Sequence, residues 1–150
     1  MNDSLIIKKG IELELEITSL AYGGMGLAKL DNFVIFVKNA IPGQHVKAFI
    51  YKKKKGYAEG RVISIIKESP NAVDVKCSHY WICSKLQSLL YEEQLKEKEK
   101  QVEEAFQRLG GFTDFKLNEI KGANRIYNYR NKMEFTFSPN RWVLESEPEG

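Results

Sequence analysis

Along residues 11–17, IELELEI, apolar and acidic positions alternate without a break: Ile11, Leu13, Leu15 and Ile17 on one side, Glu12, Glu14 and Glu16 on the other. A period of two puts the sets on opposite faces of a strand, one buried and one wet. Short β-rich runs follow. Met25 to Leu30 predicts a second strand, Phe33 to Val37 a third, and Val46 to Tyr51 a fourth, with Val46, Ala48 and Ile50 opposite Lys47, Phe49 and Tyr51. Tyr57 to Ile66 predicts a fifth, bounded by Ser69-Pro70. The joints between them are dense in turn-forming residues: Gly23, Gly24 and Gly26, then Asp31-Asn32, then Pro42-Gly43. Five short strands with glycine at the bends predict a small, strongly curved antiparallel sheet, closed or half-closed into a barrel.

From Ser84 the period changes. Leu86, Leu89, Leu90, Leu95, Val102, Ala105, Phe106 and Leu109 recur at helical spacing among Glu, Lys and Gln, and Gly110-Gly111 ends the run. This predicts one long helix whose apolar stripe belongs to a core. Residues 113–125 read as a linker or short strand. Arg125 to Ser138, RIYNYRNKMEFTFS, alternates again, with Tyr129, Met133, Phe135 and Phe137 on one face and Arg130, Lys132, Glu134 and Thr136 on the other. The expected fold class is therefore mostly β with one long helix (α+β). The expected divisions are a barrel over 1–72, a cysteine segment and amphipathic helix over 73–112, and the first strands of an incomplete domain over 113–150. A strand with an apolar face needs partners that this half of the chain barely supplies, so it reads as cut short.

Composition narrows the function classes. The chain is 43% hydrophobic, enough for a core, and no stretch is apolar over the length of a membrane span. The start, MNDSLIIKKG, has no signal-peptide core. The expectation is a cytoplasmic monomer with no membrane partner. The net charge of +3 is unevenly spread: residues 1–76 carry 12 Lys and Arg against 8 Asp and Glu, whereas residues 113–150 carry 6 against 6. A basic N-terminal module suggests a polyanion partner, and nucleic acid is the commonest.

The densest charge is Lys52-Lys53-Lys54-Lys55-Gly56 between the fourth and fifth strands, flanked by Tyr51 and Tyr57. Four cations at one turn repel each other, and a phosphate backbone would relieve that repulsion and release counterions. Flanking tyrosines can stack on unpaired bases. A solvated lysine loop is the alternative; the barrel context favours RNA. The residues expected to contact RNA are Lys52, Lys53, Lys54, Lys55 and Tyr57, with Lys38 and Arg61 on neighbouring strands and Arg130 and Lys132 on the late strand. The chain's two cysteines, Cys77 and Cys83, lie close together with His79 between them. Their spacing leaves both isolated thiols and part of a metal site open.

These residues together support a family resemblance. GGMGLAKLDNFVIFVKNAIPGQHV, the lysine hairpin and EGRVISIIKESPNAVDVKC resemble a TRAM domain, a small RNA-binding β-barrel similar to an OB fold. CSHYWICSKLQSLLYEEQLKEKEKQVEEAFQRLGGF resembles the segment that follows it in bacterial RNA uracil-C5 methyltransferases, and YRNKMEFTFS resembles the start of their central domain. The resemblance implies the N-terminal, RNA-recognising part of an S-adenosylmethionine-dependent enzyme acting on ribosomal RNA, of the 23S rRNA type. In that family a cysteine of a later domain attacks uracil C6, so residues 1–150 alone are expected to be inactive, with no catalytic residue and no S-adenosylmethionine site. Many members also hold a 4Fe–4S cluster on Cys, five residues, Cys-Gly-Gly-Cys and a later Cys. Cys77 and Cys83 match the first two positions, but Cys83-Ser84-Lys85-Leu86-Gln87 then lacks the two glycines and puts Ser84 at the third. A cubane needs four thiolates, so no cluster is expected here. Two further readings remain: a stand-alone, non-catalytic TRAM RNA-binding protein, and a metal or redox sensor built on Cys77, His79 and Cys83.

Overall fold

The computed structural model describes residues 7–77, 79–80 and 84–141. Six strands form one sheet: β1 (Glu12–Glu16), β2 (Ser19–Ala21), β3 (Met25–Leu30), β4 (Phe33–Lys38), β5 (His45–Lys53) and β6 (Tyr57–Lys67), in the order β1-β5-β6-β4-β3-β2. Neighbours are antiparallel except β4 and β6, which run parallel. The two end strands of this order are consecutive in sequence. Where the chain passes from β1 to β2, the Ile17 N–H donates to Gln44 O just before β5, and the next N–H, of Thr18, donates to Leu27 O of β3, both at 2.9 Å. One bent strand thus joins the two edges, and the sheet closes as a five-stranded, OB-like barrel. The sixth strand is this bend. Ser19–Ala21 is too short to show its own period and lies against the glycine loop, so the sequence pattern does not reveal it.

The alternation in the sequence is the alternation in the barrel. Leu13, Leu15, Ile17, Ala28, Ile35, Val37, Val46, Ala48, Ile50 and Ala58 are buried together inside. The intervening Glu12, Glu14 and Glu16 are exposed. Asp31 and Asn32 both take positive φ, 47° and 66°, the pair of left-handed residues that a tight two-residue hairpin between β3 and β4 requires. At Gly26 the barrel corner leaves no room for a side chain: a Cβ there would stand 2.9 Å from both Ala40 Cβ and Ile17 Cγ2.

A second, smaller core fastens the following segment to the barrel. Leu89, 1% exposed, packs with Leu20 and Ile41, and Ala72 and Leu86 lie against them. Residues 71–73 and 88–90 form a short antiparallel contact around the Ala72–Leu89 bridge, with Val73 N donating to Ser88 O and Leu90 N to Asn71 O, each at 2.9 Å. Helix α1 (Tyr91–Glu104) follows and ends in a π-helical turn, Ala105–Leu109. Gly110 and Gly111 then end the helical run, the latter at φ 69°.

Two expectations are corrected. The helical stripe is not core beyond Leu89: α1 and its π-turn bury no residue, and Val102, Phe106 and Leu109 are exposed. Residues 125–138 form no strand. Met133, Phe135 and Phe137 are exposed, the last at 96%. The pattern there is right for a half-buried strand, but a strand exists only against another, and no neighbouring strand lies beside it among the described residues. Arg130 and Lys132 therefore sit outside any strand rather than on a sheet face.

Candidate nucleic-acid interface

The β5–β6 hairpin carries the lysines. Its turn is closed by Lys54 N donating to Tyr57 O at 2.8 Å. Lys53 lies opposite Ala58, Lys52 opposite Glu59 and Ile50 opposite Gly60, so Tyr51 is the extra residue of a β-bulge. Successive residues of a regular strand point to opposite faces; the bulge instead turns Tyr51 and Lys52 to the same one. Both grip a single carboxylate. Lys52 Nζ donates to Glu59 Oε1 at 2.5 Å, and the Tyr51 hydroxyl donates to Glu59 Oε2 at 3.1 Å.

Around that carboxylate the outer face of β4, β6 and β5 alternates cations and rings. One rung across the three strands reads Phe36, Glu59, Lys52; the next reads Lys38, Arg61, Phe49. Lys38 Nζ stands 5.0 Å from the Tyr51 ring centroid, Lys52 Nζ 5.8 Å from that of Tyr57, and the Arg61 guanidinium 5.9 Å from that of Phe49. Lys53 Nζ reaches the Phe33 ring at 5.7 Å. Tyr57 meets Phe36 edge to face, centroids 5.7 Å apart. Such contacts hold each cation over a π face without neutralising it.

The ionisation of these groups follows from the contacts. Burial, then the hydrogen bond and charge of Glu59, push the Tyr51 phenol up to about 12. The hydrogen bond from Lys52 is the largest influence lowering Glu59, and the same bond raises Lys52. At neutral pH the face therefore carries Glu59 as a carboxylate and Lys52 as an ammonium, with Tyr51 protonated.

Of the residues expected to contact RNA, the structure gathers Lys38, Lys52, Tyr57 and Arg61 on this face and Lys53, Lys54 and Lys55 at its hairpin end. Lys54 and Lys55 are exposed at the turn. Arg130 and Lys132 do not join them on the sheet: Arg130 Nε donates to Lys132 O at 3.0 Å, and Lys132 Nζ lies 3.7 Å from Glu134. Sequence reasoning picked out Tyr51 as a flanking ring but missed Phe36, Phe49 and the central Glu59. Phe36 and Phe49 were legible as outward positions of alternating strands; the role of Glu59 depends on the bulge.

Comparison with known sequences supplies the relationship. Residues 8–63 match the family model described as TRAM domain. An uncharacterized RNA methyltransferase of Porphyromonas gingivalis is 41% identical over 89% of this chain and 29% of its own length. One from Halalkalibacterium halodurans is 36% identical over 85% of this chain and 28% of its own, and one from Clostridium tetani 39% over 89% and 29%. The chain carries a TRAM domain and is similar, over most of its own length, to part of proteins named as RNA methyltransferases. It spans less than a third of the length of these relatives. A solved structure of a conserved protein from Methanococcus maripaludis is 31% identical, covering 39% of this chain and 83% of that one at a TM-score of 0.37.

The iron–sulfur segment of the TRAM methyltransferase pattern can be tested on this chain's donors. Gln87 shapes the loop around the first cysteine, its side-chain oxygen accepting the N–H groups of Lys76 at 2.6 Å and Cys77 at 3.1 Å. Cys77 is an exposed free thiol; Cys83 lies outside the described residues. Among the described residues no three His, Cys, Asp or Glu side chains gather as a metal site. The two cysteines of this chain supply at most two of the four thiolates that such a cluster takes.

Proposed function

We propose that this chain is the RNA-recognition part of an S-adenosylmethionine-dependent RNA uracil-C5 methyltransferase whose substrate is ribosomal RNA, 23S rRNA first among candidates. The observation that carries the reading is the outer face of β4, β6 and β5, where Lys38, Lys52 and Arg61 interleave with Phe36, Phe49, Tyr51 and Tyr57. Phosphates meet the lysines of the hairpin end, and unpaired bases meet the rings. The division of labour is binding and orientation here and methyl transfer elsewhere: S-adenosylmethionine supplies the methyl group, and no residue of this chain is assigned to hold it. The reading carries with it a cytoplasmic, monomeric protein.

The test is chemical. Deleting the coding gene and measuring modified nucleosides of ribosomal RNA by mass spectrometry is expected to show the loss of one 5-methyluridine, restored by the intact gene. Unchanged 5-methyluridine in every ribosomal RNA contradicts the proposal.

A further inference from the structure

Next to the hairpin face, a groove of about 850 Å³ runs between the barrel and α1. That volume lies within the ~300–1,000 Å³ of small-ligand sites. Leu27, Val34 and Phe36 of β3 and β4 line one side, and Gln101, Ala105 and Leu109 of the helix and π-turn line the other. Tyr22, 95% exposed, stands at the mouth on the loop that Gly23 and Gly24 turn at positive φ. Two polar ties hold the walls together: Glu97 accepts the Leu20 N–H at 3.0 Å, and Lys85 Nζ donates to Gly23 O at 3.2 Å.

The charge of the lining is one-sided. Lys29 on the barrel and Lys100 and Arg108 on the helix face one acid, Glu104, which pairs with Arg108 at 3.7 Å. The groove is also continuous with the hairpin face, because Phe36 lines it while packing on Tyr57. An apolar slot with an aromatic at its mouth and a cationic excess suits a ligand with flat apolar faces and a negative backbone.

We propose that this groove takes unpaired nucleotides of single-stranded RNA, with a base stacked on Tyr22 and the adjoining phosphates near Lys29, Lys100 and Arg108. The proposal rests on the RNA-binding reading of the hairpin face and extends it: one strand runs from the lysine turn across Tyr57 and Phe36 into the groove. A duplex does not fit the proposal, because its base faces are already stacked on each other.

The test uses a labelled oligouridine of about twelve nucleotides, within the ~4–16 that one OB-type barrel spans. Tyr22→Ala is expected to weaken binding about five-fold or more, with Tyr22→Phe close to the parent chain. Because the ring carries no charge, the salt dependence stays unchanged, whereas hairpin charge reversal lowers it. With 4-thiouridine in the oligonucleotide, photocrosslinks are expected on the peptides holding Tyr22 and Leu109. Parent-like affinity of Tyr22→Ala with crosslinks confined to residues 38 and 49–61 overturns the groove proposal and leaves the hairpin reading standing. A parent chain that binds no oligouridine overturns both.

Discussion

Glu97 of α1 accepts the backbone N–H of Leu20 in β2 at 3.0 Å, so a helix that buries no residue of its own is tied to the barrel by a carboxylate. Leu20 is itself in the small core with Ile41 and Leu89. The polar tie and the apolar plug thus meet at one residue. Glu97→Ala is expected to cost about 1 kcal/mol and to speed hydrogen exchange at the Leu20 amide. Glu97→Gln keeps an acceptor and should lose less. Equal exchange at Leu20 in the parent and the alanine variant would remove the tie from the account.

Barrel closure depends on close approach at Gly26. A methyl there meets Ala40 and Ile17, both buried and unable to retreat. Gly26→Ala is expected to destabilise by about 1–3 kcal/mol in chemical denaturation. Gly56 at the hairpin turn has open space where its Cβ would stand, so Gly56→Ala serves as the neutral control.

The carboxylate at the centre of the cation–ring face opposes the binding assigned to it. Glu59 occupies Lys52 and accepts the Tyr51 hydroxyl. Glu59→Gln removes that charge and releases Lys52 toward phosphate. RNA affinity is expected to rise, and its salt dependence to steepen by about one phosphate contact. Weaker binding would mean that Glu59 is needed to hold the face in shape.

Tyr51 reports the same cluster through its proton. Its phenol is pushed from 10.0 to about 12, so the folded state holds the proton more tightly than the unfolded chain. The resulting stability is complete below pH 10.0 and is lost as pH rises through about 12. A tyrosinate absorbance titration should show a late step near pH 12 that Tyr51→Phe abolishes. A titration finished near pH 10 would separate Tyr51 from Glu59.

What the sequence reveals here follows from range. Leu13, Leu15 and Ile17 announce a half-buried strand because period two is local, and Asp31-Asn32 announces its hairpin because two residues suffice. The bulge at Tyr51 is invisible, since it is defined by the register against β6. The cations of the hairpin were legible as a charge run; the pairing of Lys52 with Tyr57 and Lys53 with Phe33, and of Lys38 in β4 with Tyr51, needed the sheet. Residues 125–138 show the opposite failure: Met133, Phe135 and Phe137 have the right period, but a strand is a relation between two segments.

The central claim is that the hairpin end of the barrel binds RNA through its charge. The most direct measurement is the affinity of the chain for single-stranded RNA across a series of salt concentrations, repeated with Lys54→Glu and Lys55→Glu together. These two lysines lie at the exposed turn, so their reversal leaves the barrel intact. The account predicts a linear fall of log affinity with log salt, about 0.7 in slope for each phosphate contacted, and a double variant that binds far more weakly with a slope reduced by about two contacts. The same affinity and the same slope in both proteins would contradict it.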